Sequence, residues 1–490
     1  MTLHLNAAAL AHLPAGVAAP GYDRSSLRPG ILHVGVGNFH RAHMAHYLDR
    51  LFALGHDHDW AIRGAGVRAG DAAMRERLAA QDWLTTVVEL DPAGLNARVI
   101  GSMTDFVPVD PPATVAAMAD PAIRIVSLTI TEGGYYVDAL TGGFDAAHPD
   151  MARDAATPDA PQSVFGMIVL ALRRRRDAGT RPFTVMSCDN LPENGHVAAR
   201  TVIGLARLSD PGLADWIAAN VAFPNSMVDC ITPATSDRER AMVADTFGLV
   251  DAAPVVCEPF RQWVLEDHFP QGRPALEAVG AEFVTDVAPY ELMKLRILNG
   301  GHAAIAYPSA LIGHHFVHDA MADPLIRAWL DALERREIIP TLAPIAGVDY
   351  QAYRDKIIER FSNPRVGDTI PRLCLDGSNR QPKFILPTLR DALSAGRPIA
   401  GLALEVALWC RYCAGTDEAG HAIPPNDDDH AGLKARALAA RGDAQAFLGH
   451  ARIFGDLGQD ERFAAAFEAA LGRLWSEGVR PVLSAYIAAA

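Results

Sequence analysis

The sequence runs to 490 residues, carries a formal net charge of −14 and is half hydrophobic. A chain of that length exceeds the roughly 250–300 residues at which a single core stops growing, so two domains are expected, and its balance of apolar and charged residues excludes extended disorder. Acidic residues outnumber basic ones 58 to 44, which excludes the clustered cationic surface that nucleic acid requires.

The stretch up to Pro14 has no Lys or Arg ahead of its apolar residues and no secretory pattern after them, which predicts a cytoplasmic protein. From about residue 30 to 285, short apolar runs alternate with helical stretches, as βαβ units do. Strands are expected at Ile31–Gly35, Trp60–Ala65, Trp83–Leu90, Ile123–Ile130 and Phe183–Ser187. Several are apolar almost throughout, like buried parallel strands, and a first helix is expected through His43, Tyr47 and Leu51. Pro111-Pro112 and the segment from Ala155 to Gln162 read as surface connections.

The apolar run Val164–Leu172 is only about half of the ~20 residues that a membrane-spanning helix needs. It reads as an amphipathic helix capped by Ser163 and broken at Gly179, with Arg173–Arg176 in a last turn where the helix dipole favours cations. Past about residue 290 the strand signals fade. Helical periodicity covers Met293–Ala306, Pro324–Ile339, Leu386–Ala395, Leu402–Cys413 and Glu461–Leu474. The expected class is α/β: a Rossmann-like dinucleotide-binding domain over residues 1–285, then a mostly helical substrate-binding and catalytic domain over residues 286–490. Six cysteines scattered from Cys188 to Cys413 read as reduced thiols. Cys410 and Cys413 form a CxxC without a second ligand pair nearby, and read as two thiols on a helix face rather than as zinc ligands.

The segment His33-Val34-Gly35-Val36-Gly37-Asn38-Phe39-His40-Arg41 places two glycines between the first strand and the first helix. There a pyrophosphate can approach the backbone closely and meet free N–H groups. The third glycine of the dinucleotide fingerprint is replaced by His40, so a plain strand-to-helix turn competes with a cofactor site made by Gly35, Gly37, Asn38, Phe39, His40 and Arg41. Asp71 follows the second strand and is the candidate acceptor for the adenosine ribose, which favours NAD; Arg68 leaves NADP open. His40 and His43 have a spacing that suits a metal, but no third ligand accompanies them, and packing near the cofactor is expected instead.

The densest chemistry lies in Lys294-Leu295-Arg296-Ile297-Leu298-Asn299-Gly300-Gly301-His302. On an α-helix at about 100° per residue, Lys294, His302 and Asn299 fall at roughly 0°, 80° and 140°, facing one cleft. Oxidising a carbinol requires its hydroxyl proton to leave. Without zinc, a lysine lowered from ~10.4 to ~7–8 by burial or a cationic neighbour can take that proton. An asparagine amide can donate to the oxygen as it becomes a carbonyl, and a histidine can orient a neighbouring hydroxyl. A surface lysine, a capping asparagine and a core histidine are the competing structural assignment.

These residues match the motif K-x-x-x-x-N-x-x-H, and the chain resembles the polyol-specific long-chain dehydrogenase/reductase family. The likeness extends through Gly35–His43, Ser127–Tyr135, Thr184–Gly195, Phe223–Thr235, Cys257–Asp267 and from Phe361 onward. It implies Lys294 as general base, Asn190 and Asn299 as an amide pair stabilising the oxyanion, and His302 as the substrate-orienting histidine. Asp229, Arg372 and Lys383 fall where the family binds substrate hydroxyls, and Glu132 and Glu291 in blocks where an acid can relay the proton to water. Gly70 departs from the pattern, since similar enzymes carry a second acid before the aspartate.

The implied reaction is metal-independent hydride transfer between NAD and a secondary alcohol of an open-chain polyol. D-mannitol to D-fructose comes first, with D-arabinitol and sorbitol as further substrates. Hexuronate reduction, giving mannonate or altronate, is the alternative within the family. Outside it stand a zinc alcohol dehydrogenase and an NAD-binding sensor without catalysis. The expected partners are small polyol or ketose molecules acting on a monomer, with no nucleic acid and no membrane.

Overall fold

Four of the expected runs, joined at one edge by Met103–Phe106, form one parallel sheet, ordered Met103–Phe106, Ala61–Ala65, Pro29–Val34, Ile125–Leu128, Thr184–Ser187. In chain order this is 3-2-1-4-5, the doubly wound arrangement, whose direction of winding reverses between the first and fourth strands. Alternation sorts the side chains. Leu32, Val34, Val126, Leu128 and Val185 join a core under helices Pro111–Ala119, Val164–Asp177 and Asn194–Ser209, while Ile31, Ile125 and Met186 join another under helix Met44–Ala53. The computed structural model describes residues 3–138 and 141–489, and the chain divides into two compact units, Met1–Ala288 and Pro289–Ala490.

The backbone of the first unit departs from the sequence expectation at three places. The run expected at Trp83–Leu90 forms strand Thr85–Asp91, but outside the parallel sheet: it turns back at Pro92-Ala93 and pairs antiparallel with Gly94–Ile100. Asp91 accepts a bond from Ala93 N at 2.8 Å, an Asx turn that closes this hairpin. Pro111-Pro112 is not a connection; it opens helix Pro111–Ala119 behind the Asp110 cap, where a missing N–H costs nothing. The first helix is broken in two, Asn38–Ala42 and Met44–Ala53, with His43 between them at φ −112° and ψ −94°.

Helix Val164–Asp177 is capped by Ser163 and followed by Gly179 at φ +66°, as expected. Arg175 in its last turn, however, is buried and donates to the carbonyls of Met118, Asp120, Ile123 and Arg181. It tethers neighbouring segments rather than merely facing its own helix dipole. Among the described residues no helix is long and apolar enough to cross a membrane.

The second unit is built from helices. The longest are Glu461–Glu477 and Ala400–Cys413, which pack on each other; the latter also packs on Gly300–Leu311. Residues Gly401–Cys413 are buried throughout, so Cys410 and Cys413 are core thiols. The helix begins on the buried carboxylate of Glu337, which accepts from Gly401 N at 2.7 Å and Leu402 N at 2.9 Å. Two of the expected α-helices contain π-turns: Ala288–Met293 continues as Lys294–Asn299 before Gly300–Leu311, and Pro324–Leu333 continues as Glu334–Ile338.

Candidate active site

Apart from Asp229, which ends strand Ser226–Asp229 of a separate sheet, the candidate residues of the first unit follow the C-terminal ends of the parallel strands, where doubly wound sheets bind ligands. Gly35 adopts φ +97°, and a Cβ there would lie 2.1 Å from Thr129 O, so only glycine fits. Gly37 N closes onto Gly35 O at 2.6 Å, and the next helix starts at an exposed Gly37, where a Cβ would meet only Gly35 O at 3.8 Å. Asn38 Nδ2 donates to Pro233 O at 3.3 Å and Thr235 Oγ1 at 3.1 Å, tying this loop to the block that follows Asp229.

His40 and Arg41 are buried, which redefines their part. His40 stacks on His33 with ring centroids 3.5 Å apart, and burial holds both rings neutral, pushing His33 down to about 3. Arg41 donates to Gly37 O, Ala253 O and Asn38 Oδ1, bracing the loop from behind. Half-buried Phe39 stacks on His43, whose Nε2 lies 2.9 Å from Gln262 O, opposite Asp229 in the strand pair. Asp71 sits at the third position of helix Ala69–Ala79, and its Oδ2 accepts from Val67 N and Arg68 N, both at 2.8 Å. It thereby caps that helix.

Exposed Asn190 and Glu132 lie on neighbouring loops that Asp189 staples together. The Asp189 carboxylate accepts from Ile130 N and Thr131 N at 2.9 Å each and from Tyr135 Oη at 2.7 Å. Burial raises its carboxyl above the usual value, while these three donors pull it back down. The staple holds Thr131 at φ +68°, a conformation a β-branched residue takes only under constraint. Asn194 extends the network, donating to Asp189 O and Ser226 O on the strand that ends at buried Asp229. Asp189 has no signature in sequence beyond its place beside Asn190.

In the second unit Lys294 and Asn299 bound the first π-turn, and His302 follows on helix Gly300–Leu311. The i→i+5 hydrogen bonds of that turn advance fewer degrees per residue than an α-helix, which draws Asn299 back toward the face of Lys294. Lys294 is only 8% exposed and Glu291, three residues earlier, is 9% exposed. Arg296 anchors the turn to Thr341 O at 3.1 Å, Thr341 Oγ1 at 2.6 Å and the Asp391 carboxylate. His302 lies flat on Phe361, with centroids 4.2 Å apart and planes 16° apart.

Exposed Arg372, on the short helix Ile370–Leu373 packed against Gly300–Leu311, makes a two-pronged bond to Asp368. Burial pushes the Asp368 carboxyl up, but the Arg372 bond and the charges of Arg372 and His302 outweigh it and hold the carboxyl low. Asp368 is the second residue that sequence reasoning missed. Lys383 is exposed on helix Gly377–Phe384, which packs on the π-turn. Among the described residues no cluster of three metal-ligating side chains occurs.

Residues 29–278 match the Rossmann domain of mannitol dehydrogenases, and residues 286–475 match the C-terminal domain of the same enzymes. The chain belongs to the mannitol dehydrogenase family. A mannitol 2-dehydrogenase of Cereibacter sphaeroides is 59% identical over 96% of this chain and 99% of its own. One from Phaeosphaeria nodorum is 44% identical over 99% of this chain and 86% of its own. Among solved structures, the Pseudomonas fluorescens mannitol 2-dehydrogenase in ternary complex with NAD and D-mannitol is 44% identical, with full coverage of both chains and a TM-score of 0.86. A substrate-free D-sorbitol dehydrogenase is 38% identical over 98% of this chain, with a TM-score of 0.90.

Proposed function

We propose that this member of the mannitol dehydrogenase family is an NAD-dependent polyol dehydrogenase that interconverts D-mannitol and D-fructose, with Lys294 as general base and no metal. The full-length likeness to the Pseudomonas enzyme solved with NAD and D-mannitol carries this conclusion. Residues 1–285 are the proposed nucleotide-binding domain and residues 286–490 the proposed substrate domain.

The glycine loop suits a dinucleotide: it lies at the switch point of the sheet, no Cβ stands over Gly35 or Gly37, and the Asp71 carboxylate waits beyond the second strand. Bound NAD supplies the acceptor for the hydride leaving the carbinol carbon. Lys294 Nζ takes the hydroxyl proton as that hydride departs, and Glu291 in the same helix passes it outward, with Glu132 as a second outlet. Asn299 Nδ2 donates to the oxygen as it gains carbonyl character, and Asn190 is the proposed second amide. His302, braced on Phe361, orients a neighbouring hydroxyl. Asp229, Arg372 and Lys383 bind further hydroxyls, and Asp368 fixes the direction of the Arg372 fork.

The test is NAD reduction, followed by its near-ultraviolet absorbance at about pH 9–10 where a lysine base is neutral, with mannitol, arabinitol, sorbitol, mannonate and altronate supplied separately. Preference for mannitol, undiminished by a chelator, is the expected result. Activity confined to the aldonates would replace the polyol by a hexuronate substrate, and silence with all five would leave a cofactor-binding sensor.

A further inference from the structure

Glu334 opens the second π-turn and is completely buried, and neither carboxyl oxygen has a hydrogen-bond partner among the described residues. Native proteins keep few such groups, because burying an unpaired polar atom is costly and an apolar side chain of similar size would not incur that cost. The place it occupies is specific. A Cβ added to Gly301 would lie 2.8 Å from Glu334 Oε1, 3.5 Å from Leu330 Cδ1 and 3.6 Å from Phe361 Cε2. The carboxyl therefore touches the backbone one residue before His302. Phe361, which flanks the same spot, is also the ring on which His302 lies.

Burial raises the Glu334 carboxyl well above its ordinary value; the Arg354 charge lowers it in part, and Asp331 raises it further. Arg354 is itself engaged by Asp331, Asp355 and Gln351, at 3.1, 2.7 and 2.8 Å. Burial thus favours the neutral form of the Glu334 carboxyl.

We propose that Glu334 is a positioning residue of the alcohol-oxidising segment: its carboxyl, pressed on Gly301 and beside Phe361, sets the place of the turn that carries His302. The proposal rests on the polyol-dehydrogenase assignment for its kinetic consequence, but not for its structural one. Geometry of this kind is sensitive, since a misplacement of about 1 Å can cost on the order of 100-fold in rate.

The experiment compares E334Q and E334A with the parent enzyme by polyol KM, NAD KM and kcat, and by the imidazole signals of histidine-labelled protein, with His302 assigned through H302N. E334Q keeps shape and neutrality and should hold the parent values. E334A should lower kcat/KM for polyol by roughly 10- to 100-fold, leave the NAD KM in place, and shift or broaden the His302 signal. Two outcomes overturn the proposal: an E334A protein with the parent His302 signal, or equal impairment of E334Q and E334A in polyol and NAD alike. A parent enzyme that oxidises no polyol would refute the assignment of function instead, and the His302 signal would still decide the role of Glu334.

Discussion

Glu405 lies in the middle of the buried helix Ala400–Cys413, where Gln381 Nε2 donates to its Oε1 at 2.8 Å and Oε2 has no partner among the described residues. Burial raises its carboxyl to about 8 from an ordinary 4.5, and the single Gln381 bond only moderates that rise. Between those two values the folded chain holds a proton that the unfolded chain has released. The contribution of neutral Glu405 is therefore complete below about pH 4.5 and is lost as pH rises to about 8. At about 1.4 kcal/mol per pH unit the loss reaches on the order of 3–5 kcal/mol. Glu405→Gln keeps the shape and the Gln381 bond but cannot ionise. For a unit of about 200 residues, at about 2–4 °C per kcal/mol, the variant should melt roughly 10 °C above the parent at about pH 9, and within a few degrees of it at about pH 5. Thermal unfolding at three pH values reads this directly. Parent and variant midpoints that fall in parallel with pH would refute the reasoning, since the lost stability would then belong to other groups.

Two further substitutions probe the first unit. Asp189→Ala strips the acceptor from Ile130 N and Thr131 N, each worth about 1–3 kcal/mol when left unpaired, and leaves Tyr135 Oη only its bond to Ser187 Oγ. It should lower both the thermal midpoint and polyol kcat/KM, and a variant equal to the parent in both would show that the staple is dispensable. Gly35→Ala adds αL strain of about 1–2 kcal/mol to a contact 2.1 Å from Thr129 O. The glycine loop must shift, so NADH affinity in a fluorescence titration should fall by roughly tenfold or more; an unchanged Kd would place the cofactor elsewhere.

The parallel strands were legible because strands buried on both faces, such as Ile125–Leu128, read as unbroken apolar runs. Thr85–Asp91 is likewise buried through its first four residues, and nothing in its own residues says which sheet it joins; the Asp91-to-Gly94 turn held that information. Asp110-Pro111-Pro112 likewise carried a readable helix start, a cap followed by proline at the first position. Lys294, Asn299 and His302 were legible by motif, but the π-turn beneath them was not, because one altered hydrogen-bond register leaves no periodic mark. Asp189, Asp368 and Glu334 act through partners that only the fold supplies. Ile130 and Tyr135, for example, lie more than fifty residues from Asp189 in the chain. The burial of Arg41 was hidden for the same reason: one of its acceptors, the Ala253 carbonyl, lies more than two hundred residues away in the chain.

The most direct test of the central claim is Lys294→Ala, measured for mannitol oxidation under saturating NAD alongside NADH binding. Loss of kcat by on the order of 10²–10⁴ with nucleotide affinity intact is the predicted result, as removal of a general base requires. A Lys294→Ala enzyme that oxidises mannitol at the parent rate would contradict it.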